Sequence, residues 1–181
     1  MSTQLLHVSD LNRLDQADFI AALAPAIEGP PWAIELLWTR RPFADVAHVR
    51  DALRRIILEA PREQQVALLR AHPDLVGRAA LAGTLSSASA SEQAAAGMDQ
   101  LTGEEIAEFQ RLNAQYWERF DFPFVICARK NKKEAILAGF RSRLGNERDD
   151  EIALALEEVA KICALRLPGL VTDDAAQSQQ S

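Results

Sequence analysis

Apolar residues recur at three- and four-residue steps along most of the chain, which is the period of an amphipathic α-helix. One such stripe, which includes Phe19 and Leu23, follows Asp15, a residue type that caps helix starts. Another follows Thr102 and Glu105, which have the spacing of a capping box. The same period, bounded by Pro, Gly and capping residues, predicts further helices at 32–38, 45–57, 61–71, 89–97, 133–144 and 149–167.

Two stretches break this pattern. Residues 74–88 contain Gly77, Gly83 and a run of Ser and Ala, which predicts an irregular loop with at most short helical turns. Phe122–Ala128 is apolar and partly β-branched, which predicts one short, buried, extended segment that cannot build a sheet by itself. The sequence therefore predicts an all-α fold, a single compact domain of about seven to eight helices over residues 1–171, followed by a disordered tail at 172–181.

Composition narrows the classes of function. The 181 residues are 48% hydrophobic and 25% charged, as in a folded globular protein, and the net charge is −6. An acidic chain repels phosphate backbones, so we expect no nucleic-acid partner. We expect no membrane association either, because no apolar run approaches the ~20 residues that span a bilayer, and the N-terminus lacks a secretory signal. Cys127 and Cys163 lie far apart among apolar neighbours, which indicates reduced core thiols in a cytoplasmic protein.

The candidate chemistry rests on ordinary side chains. The sequence has no Gly-rich phosphate loop and no Cys-x-x-Cys motif, and His7, His48 and His72 share no metal-ligand spacing, so we expect no metal site. His72 directly precedes Pro73, at a point where a helix must end. It is therefore either a helix cap or a general acid–base whose charged form the helix carbonyls favour. The residues alone leave both interpretations open.

Two further clusters also have a structural and a functional interpretation. Ser89 and Glu92 have the spacing of a capping box, and a helix start here would offer N–H groups to an anion, with Gln93 supplying an amide. In Phe122–Ala128 the side chains suit core packing. Its main-chain groups, without strand partners, would suit a planar ligand rich in amides. Composition does not choose between these interpretations.

Several short motifs, taken in this order, resemble one enzyme family. They are Arg41-Pro42-Phe43, Ala71-His72-Pro73-Asp74-Leu75, Ser89-x-x-Glu92-Gln93-x-x-Ala96-Gly97, Leu112-Asn113-x-x-Tyr116, Phe120-x-Phe122-Pro123-Phe124-Val125-Ile126 and Arg143-Leu144-x-Asn146. They span about residues 12–167, nearly the whole chain. The sequence resembles the 2-oxo-4-hydroxy-4-carboxy-5-ureidoimidazoline (OHCU) decarboxylase family, whose members make (S)-allantoin after urate oxidation. Met98, where the family usually has leucine, is a departure outside the candidate chemistry.

This resemblance implies an all-helical enzyme that acts on a small ureidoimidazoline without a metal or organic cofactor, usually as a homodimer. It makes His72 the catalytic acid–base, and Glu92 would orient the imidazole or bind ureido N–H groups. The substrate pocket that it implies is lined by Pro73, Ser89, Ala90, Ser91, Glu92, Gln93, Phe124, Val125, Ile126, Cys127 and Ala128.

Three questions stay open at this level. The resemblance implies an arginine near the substrate carboxylate, and Arg143 and Arg166 both lie in matching segments. The sequence does not show whether the loop at 74–88 closes over the substrate. Two other functions also fit the residues: a non-catalytic helical module that binds a ureide, or a module that serves a partner enzyme of the same pathway.

Overall fold

Ten α-helices account for most of residues 5–174, the part of the chain that the computed structural model describes. The all-α fold predicted from the sequence is confirmed. Two of the ten are single turns, too short to show a helical period, and the sequence prediction of seven to eight helices did not include them. The helices are α1 (Val8–Leu11), α2 (Gln16–Leu23), α3 (Trp32–Trp38), α4 (Val46–Glu59), α5 (Arg62–Arg70), α6 (Arg78–Leu81), α7 (Ser87–Ala95), α8 (Gly103–Phe120), α9 (Lys133–Arg143) and α10 (Arg148–Arg166).

Side chains cap α2 and α8 where the sequence predicts. The Asp15 carboxylate accepts a hydrogen bond from the N–H of Asp18 at the start of α2. At the start of α8, Thr102 and Glu105 each bond the main chain of the other, which completes the predicted capping box. Each cap gives a partner to N–H groups that have none inside the helix.

Helix α7 begins earlier than the sequence predicts. Its N-cap is Ser86, whose hydroxyl accepts a hydrogen bond from the N–H of Ser89 at 3.2 Å. The pattern Ser-x-x-Glu favoured a start at Ser89, but Ser86 has the same capping chemistry one turn earlier. The capping box predicted at Ser89 and Glu92 is therefore wrong, and both residues lie inside the helix with buried side chains.

Within residues 5–174 the strands amount to one short parallel pair. Strand β1 (Leu6–His7) pairs with β2 (Val171–Thr172). The sequence does not predict this pair, because a strand of two residues shows no alternation. The tail predicted to be disordered thus begins with ordered residues, since Asp174 also accepts hydrogen bonds from the N–H and hydroxyl of Ser9. The rest of that tail, 175–181, lies outside the described residues.

The described chain divides into two compact units. The terminal unit comprises residues 5–59 and 162–174, and the central unit comprises residues 60–161. In the terminal unit, α3 packs against both α2 and α4, and Phe19, Leu37 and Leu53 are fully buried. The single domain expected over residues 1–171 stays a prediction. No helix among the described residues has the length and apolar character needed to cross a membrane.

An aromatic cluster forms the core of the central unit. Its centre is the buried ring of Tyr116 on α8, and Phe124 stacks on Phe140 of α9 with ring centroids 3.8 Å apart. The segment at 123–127 that carries Phe124 forms neither helix nor strand and is largely buried, in line with the extended segment that the sequence predicts. The rings around Tyr116 have centroids 4.6–6.1 Å from it and belong to Phe120, Phe122, Phe124 and Phe140.

One fully buried carboxylate lies beside this core. Glu151 in the first turn of α10 has no exposed surface, and Arg143 of α9 pairs with it, with Nε and Nη2 at 2.7 and 2.5 Å from its Oε1. The hydroxyl of Tyr116 donates to the same carboxylate, and Asn146 donates to its second oxygen at 2.8 Å. Burial and the adjacent carboxylate raise the pKa of Tyr116, so its hydroxyl stays protonated and remains a donor. The network joins α8, α9 and α10.

Replacing Ser86 by Ala tests the start of α7. We expect the free energy of unfolding to fall by about 1 kcal/mol, because the N–H of Ser89 loses its capping partner. Urea denaturation of the full chain measures this change. Ser91→Ala, an exposed change within the same helix, is the matched control and should leave stability nearly unchanged. Equal stability of Ser86→Ala and the wild type would contradict the assigned N-cap.

Arg143→Ala tests the buried ion pair. Removing Arg143 leaves the charge of Glu151 buried, so we expect the free energy of unfolding to fall by about 3–5 kcal/mol. Arg141→Ala is the control on the same helix, because Arg141 pairs with Glu108 at an exposed position and should contribute less than about 1 kcal/mol. Similar losses for the two variants in urea denaturation would show that the buried pair contributes no more to stability than the exposed pair.

Candidate active site

The structure gives His72 a cap role and, at the same time, a defined tautomer. Helix α5 ends at Arg70, and the His72 ring, only 8% exposed, places Nδ1 2.9 Å from the carbonyl oxygen of Leu68. A carbonyl only accepts, so Nδ1 carries the hydrogen of this bond. In the neutral ring the lone pair is then on Nε2, and proton exchange takes place there. The two interpretations that the sequence left open are therefore compatible, because each uses a different nitrogen.

The turn that follows His72 and Pro73 is held by side chains from α7 and α8. The three contacts involve consecutive residues of the turn, and each joins a main-chain or carboxylate group to a polar side chain. They are Trp117 Nε1 to Asp74 Oδ1 at 2.7 Å, Asn113 Nδ2 to the Leu75 carbonyl at 2.8 Å, and the Val76 N–H to Gln93 Oε1 at 3.2 Å.

Helix α7 presents part of the predicted site on its buried face. Ser89, Glu92 and Gln93 are buried, as expected for residues three and four positions apart on one helical face. Ala90 and Ser91 are exposed on another face, so their side chains lie apart from those three. Because α7 begins at Ser87, the predicted anion site at a helix start does not form at Ser89, whose N–H already bonds to Ser86.

In the segment at 124–128, some main-chain groups have hydrogen-bond partners within the protein and others have none among residues 5–174. Arg143 Nη1 donates to the carbonyl of Val125 at 2.8 Å, and the N–H of Cys127 donates to Glu158 Oε2 at 2.8 Å. For the main chain of Phe124 and Ile126, by contrast, residues 5–174 provide no hydrogen-bond partner. The segment thus offers donors and acceptors for a ligand, as the sequence suggested for a chain without strand partners.

The same segment lies close to α7. Helix α7 packs against the short 3-10 turn Ala128–Lys130, which begins where the segment ends. The pKa of the Cys127 thiol is raised, chiefly by burial and further by the nearby carboxylates of Glu158 and Glu92. Cys127 is therefore a poor nucleophile, and we assign it no covalent role. The central unit brings together the His72 turn, the buried face of α7 and the segment at 124–128.

A cavity of about 690 Å³ lies on the α8 side of the His72 turn. His72 and Pro73 form part of its wall, but neither 89–93 nor 124–128 lines it. Burial raises the pKa of the Asp74 carboxyl, while the hydrogen bond from Trp117 opposes that shift. The polar residues that line this cavity are Asp74, Arg78, Thr84, Gln110, Asn113 and Trp117.

The two candidate arginines have different surroundings. Nε, Nη1 and Nη2 of Arg143 all face partners in the central unit, namely the carboxylate of Glu151 and the carbonyl of Val125. Nη2 lies within the ion pair but forms no hydrogen bond among residues 5–174, so the choice between the two arginines stays a prediction. Arg166, in the terminal unit, is nine-tenths buried and lies 3.2 Å from Glu28. Among residues 5–174, no three His, Cys, Asp or Glu side chains are grouped to hold a metal ion.

The sequence pattern predicts no role for four residues of this region, Asn113, Trp117, Glu151 and Glu158. One signal was available for Asn113, which interrupts the apolar stripe of α8 between Leu112 and Tyr116. A polar side chain on a buried helical face needs a partner, which predicts a specific contact there. Glu151 and Glu158 gave no such signal, because acidic residues are common in exposed positions of a helix.

Comparisons with known proteins agree with this architecture. A family model described as OHCU decarboxylase matches residues 12–168. The 2-oxo-4-hydroxy-4-carboxy-5-ureidoimidazoline decarboxylase of Amia calva is 40% identical over 166 residues, 92% of this chain and 95% of its own. The enzyme of that name from Haloferax volcanii is 40% identical over 162 residues, 90% and 94% of the two chains.

Solved structures include a close match in fold. The crystal structure of an (S)-allantoin synthase superposes with a TM-score of 0.73 at 25% identity and covers 92% of this chain. The match takes in 54% of that longer chain, about half its length. A family match over residues 12–168, together with these identities, confirms the resemblance drawn from the sequence motifs: the chain belongs to the OHCU decarboxylase family.

Proposed function

We propose that this chain decarboxylates 2-oxo-4-hydroxy-4-carboxy-5-ureidoimidazoline to (S)-allantoin, a step of urate degradation, without a metal or organic cofactor. Family membership supports the reaction, and the geometry of the central unit supports the site. The observation that carries the proposal is the state of His72. It is a buried imidazole with Nδ1 fixed on Leu68, and Gln93 ties the turn after it to the helix face that also carries Glu92.

The substrate supplies its own electron sink. The carbon that carries the carboxylate adjoins the carbon of a ring C=N bond. As CO2 leaves, the electron pair of the broken C–C bond forms a C=C bond within the ring, and the C=N electrons move to the ring nitrogen, which takes a proton. A second proton is then added to the carbon that carries the ureido group, while the 4-hydroxyl loses its proton and becomes a carbonyl. The protein must remove water from the carboxylate, orient it and direct the protons.

His72 directs these protons through Nε2. With Nδ1 engaged by Leu68, the ring keeps one orientation, and Nε2 takes the proton of the 4-hydroxyl or returns one to the ring carbon. Delivery from one side of the planar intermediate sets the (S) configuration. The reaction without an enzyme has no such constraint.

The remaining residues of the site bind the planar substrate, mainly through hydrogen bonds. Glu92 accepts from ureido N–H groups or orients the imidazole. Gln93 receives the Val76 N–H on Oε1, so its NH2 group is the part that donates to a ring carbonyl. The main chain of Ile126 offers one donor and one acceptor, which match the adjacent N–H and C=O groups of a cyclic amide. Pro73 and Ser89 complete the lining.

The proposal also includes a homodimer in the cytoplasm. The family resemblance suggests the dimer, and sedimentation equilibrium of the purified chain tests it. Both cysteines, Cys127 and Cys163, are buried and form no disulfide, which suits a reducing compartment.

His72→Asn tests the proposed acid–base. We expect the catalysed formation of optically active allantoin to fall by at least about 10²-fold, because Asn cannot transfer a proton. The assay supplies freshly generated OHCU and follows circular dichroism together with CO2 release. His48→Asn, a change at an exposed histidine of α4, is the control and should retain full activity. Near-normal turnover by His72→Asn would remove His72 from the mechanism, and thermal stabilisation by allantoin without turnover by the wild type would favour a binding module.

Glu92→Gln separates the charge of Glu92 from its size. The amide keeps the shape of the side chain, so we expect the fold to survive while kcat/KM falls at least about 10-fold through loss of the anionic acceptor. Glu118→Gln, an exposed change on α8, is the control for a lost carboxylate. Both variants are compared by steady-state kinetics and thermal unfolding, and a fully active Glu92→Gln would restrict Glu92 to a structural role.

A further inference from the structure

The turn after the catalytic histidine has a backbone shape that its own residues do not favour. Val76 has φ of +51°, a left-handed conformation that is unfavourable for a β-branched residue. At the next position, a Cβ on Gly77 would lie 2.5 Å from the Cβ of Asp74, so only glycine fits. Contacts from outside the turn must therefore hold this shape, and such strain is concentrated at functional sites.

Asn113 provides the most buried of these contacts. It is 6% exposed, and its Nδ2 donates to the carbonyl of Leu75 at 2.8 Å. Its Oδ1, by contrast, is buried without a hydrogen-bond partner among residues 5–174. An unsatisfied buried acceptor destabilises the fold, and this cost offsets what the hydrogen bond to the Leu75 carbonyl contributes. Stability alone thus does not explain an asparagine at this position.

A second contact acts on the same turn from one helical turn farther along α8. Trp117 donates from Nε1 to the carboxylate of Asp74 at 2.7 Å. Asn113 and Trp117 lie four residues apart, on one face of α8, and together they hold two consecutive residues of the turn. Only Pro73 separates His72 from Asp74 and Leu75, the two turn residues that are held, and the proline ring restricts φ at that position. A displacement of the turn would therefore be passed to the His72 ring.

We propose that Asn113 is a positioning residue for His72, acting through the carbonyl of Leu75, with Trp117 in a supporting role through Asp74. This inference rests on the proposed function, in which Nε2 of His72 transfers the proton. Asn113 takes no part in the proton transfer itself. It holds the turn so that the imidazole reaches the reacting atoms, where a shift of about 1 Å costs roughly 10²-fold in rate.

Asn113→Leu tests the proposal because it removes the donor and the unsatisfied acceptor together. The variant relieves the unsatisfied Oδ1 but leaves the Leu75 carbonyl without its donor. These effects oppose each other, so we expect the urea midpoint of unfolding to change little, kcat to fall roughly 30- to 100-fold, and KM to change less than about threefold. Thr102→Ala is the control: it destabilises the start of the same helix but leaves the turn untouched, so kcat should be unchanged. A purely structural role for Asn113 predicts the opposite result, a loss of stability with kcat retained.

A second measurement does not depend on turnover. Side-chain ¹H–¹⁵N NMR of the imidazoles, with the His72 signals assigned from their absence in His72→Asn, reports the tautomer and mobility of that ring. We expect these signals to shift or broaden in Asn113→Leu and to stay unchanged in Thr102→Ala. If the wild type does not decarboxylate OHCU, the proposed function fails, and the NMR result alone decides the positioning role.

Each possible result of these experiments either supports or overturns the positioning role of Asn113. A kcat within twofold of the wild type, or His72 signals unaltered by Asn113→Leu, would overturn the proposal. Trp117→Phe removes only the Nε1 donor and replaces Asn113→Leu, under the same criteria, if that variant does not fold. Failure of both variants to fold would show that the contacts serve the fold, and this result too would overturn the positioning role.

Discussion

The structure of the central unit depends on giving partners to one buried carboxylate. Glu151 has no exposed surface, and an isolated charge in that position would cost several kcal/mol. Three donors, from Tyr116, Arg143 and Asn146, therefore have to converge on it. Arg143 has a nitrogen left over, which binds the carbonyl of Val125. The requirement to satisfy Glu151 thus also fixes the main chain of the segment that we assign to substrate binding.

The same principle explains how a helical fold builds a binding site from ordinary groups. At the elements of the proposed site, at least one polar group is engaged by the protein itself. Nδ1 of His72 is bound to Leu68 and Oε1 of Gln93 to the N–H of Val76, while the main chain of Ile126 has no partner among the described residues. The engaged groups fix the orientation of the others, so little is left to order when a ligand binds.

Local rules predicted the helices well because those rules act within a few residues. The periodic stripe of α8 and the capping box at Thr102 are both readable in this way. Helix α7 shows the limit, because Ser86 and Ser89 have the same capping chemistry and only packing decides between them. The pairing of Leu6 with Val171 and the burial of Glu151 depend on residues distant in the chain or on other helices, which no local pattern encodes.

The residues alone indicated the candidate site only where its members also obey a local rule. His72 follows a helix end, as its place before Pro73 predicts. Glu92, by contrast, was singled out by a capping box that the structure does not contain and by the family motif. Asn113 on an apolar stripe, Val76 with positive φ and Glu151 inside the core each break a rule, and each is unfavourable when considered alone. All three lie in the central unit and act on the turn after His72 or on the segment at 124–128. We infer that the stability given up at these positions is concentrated where the protein must hold a shape that folding alone would not select.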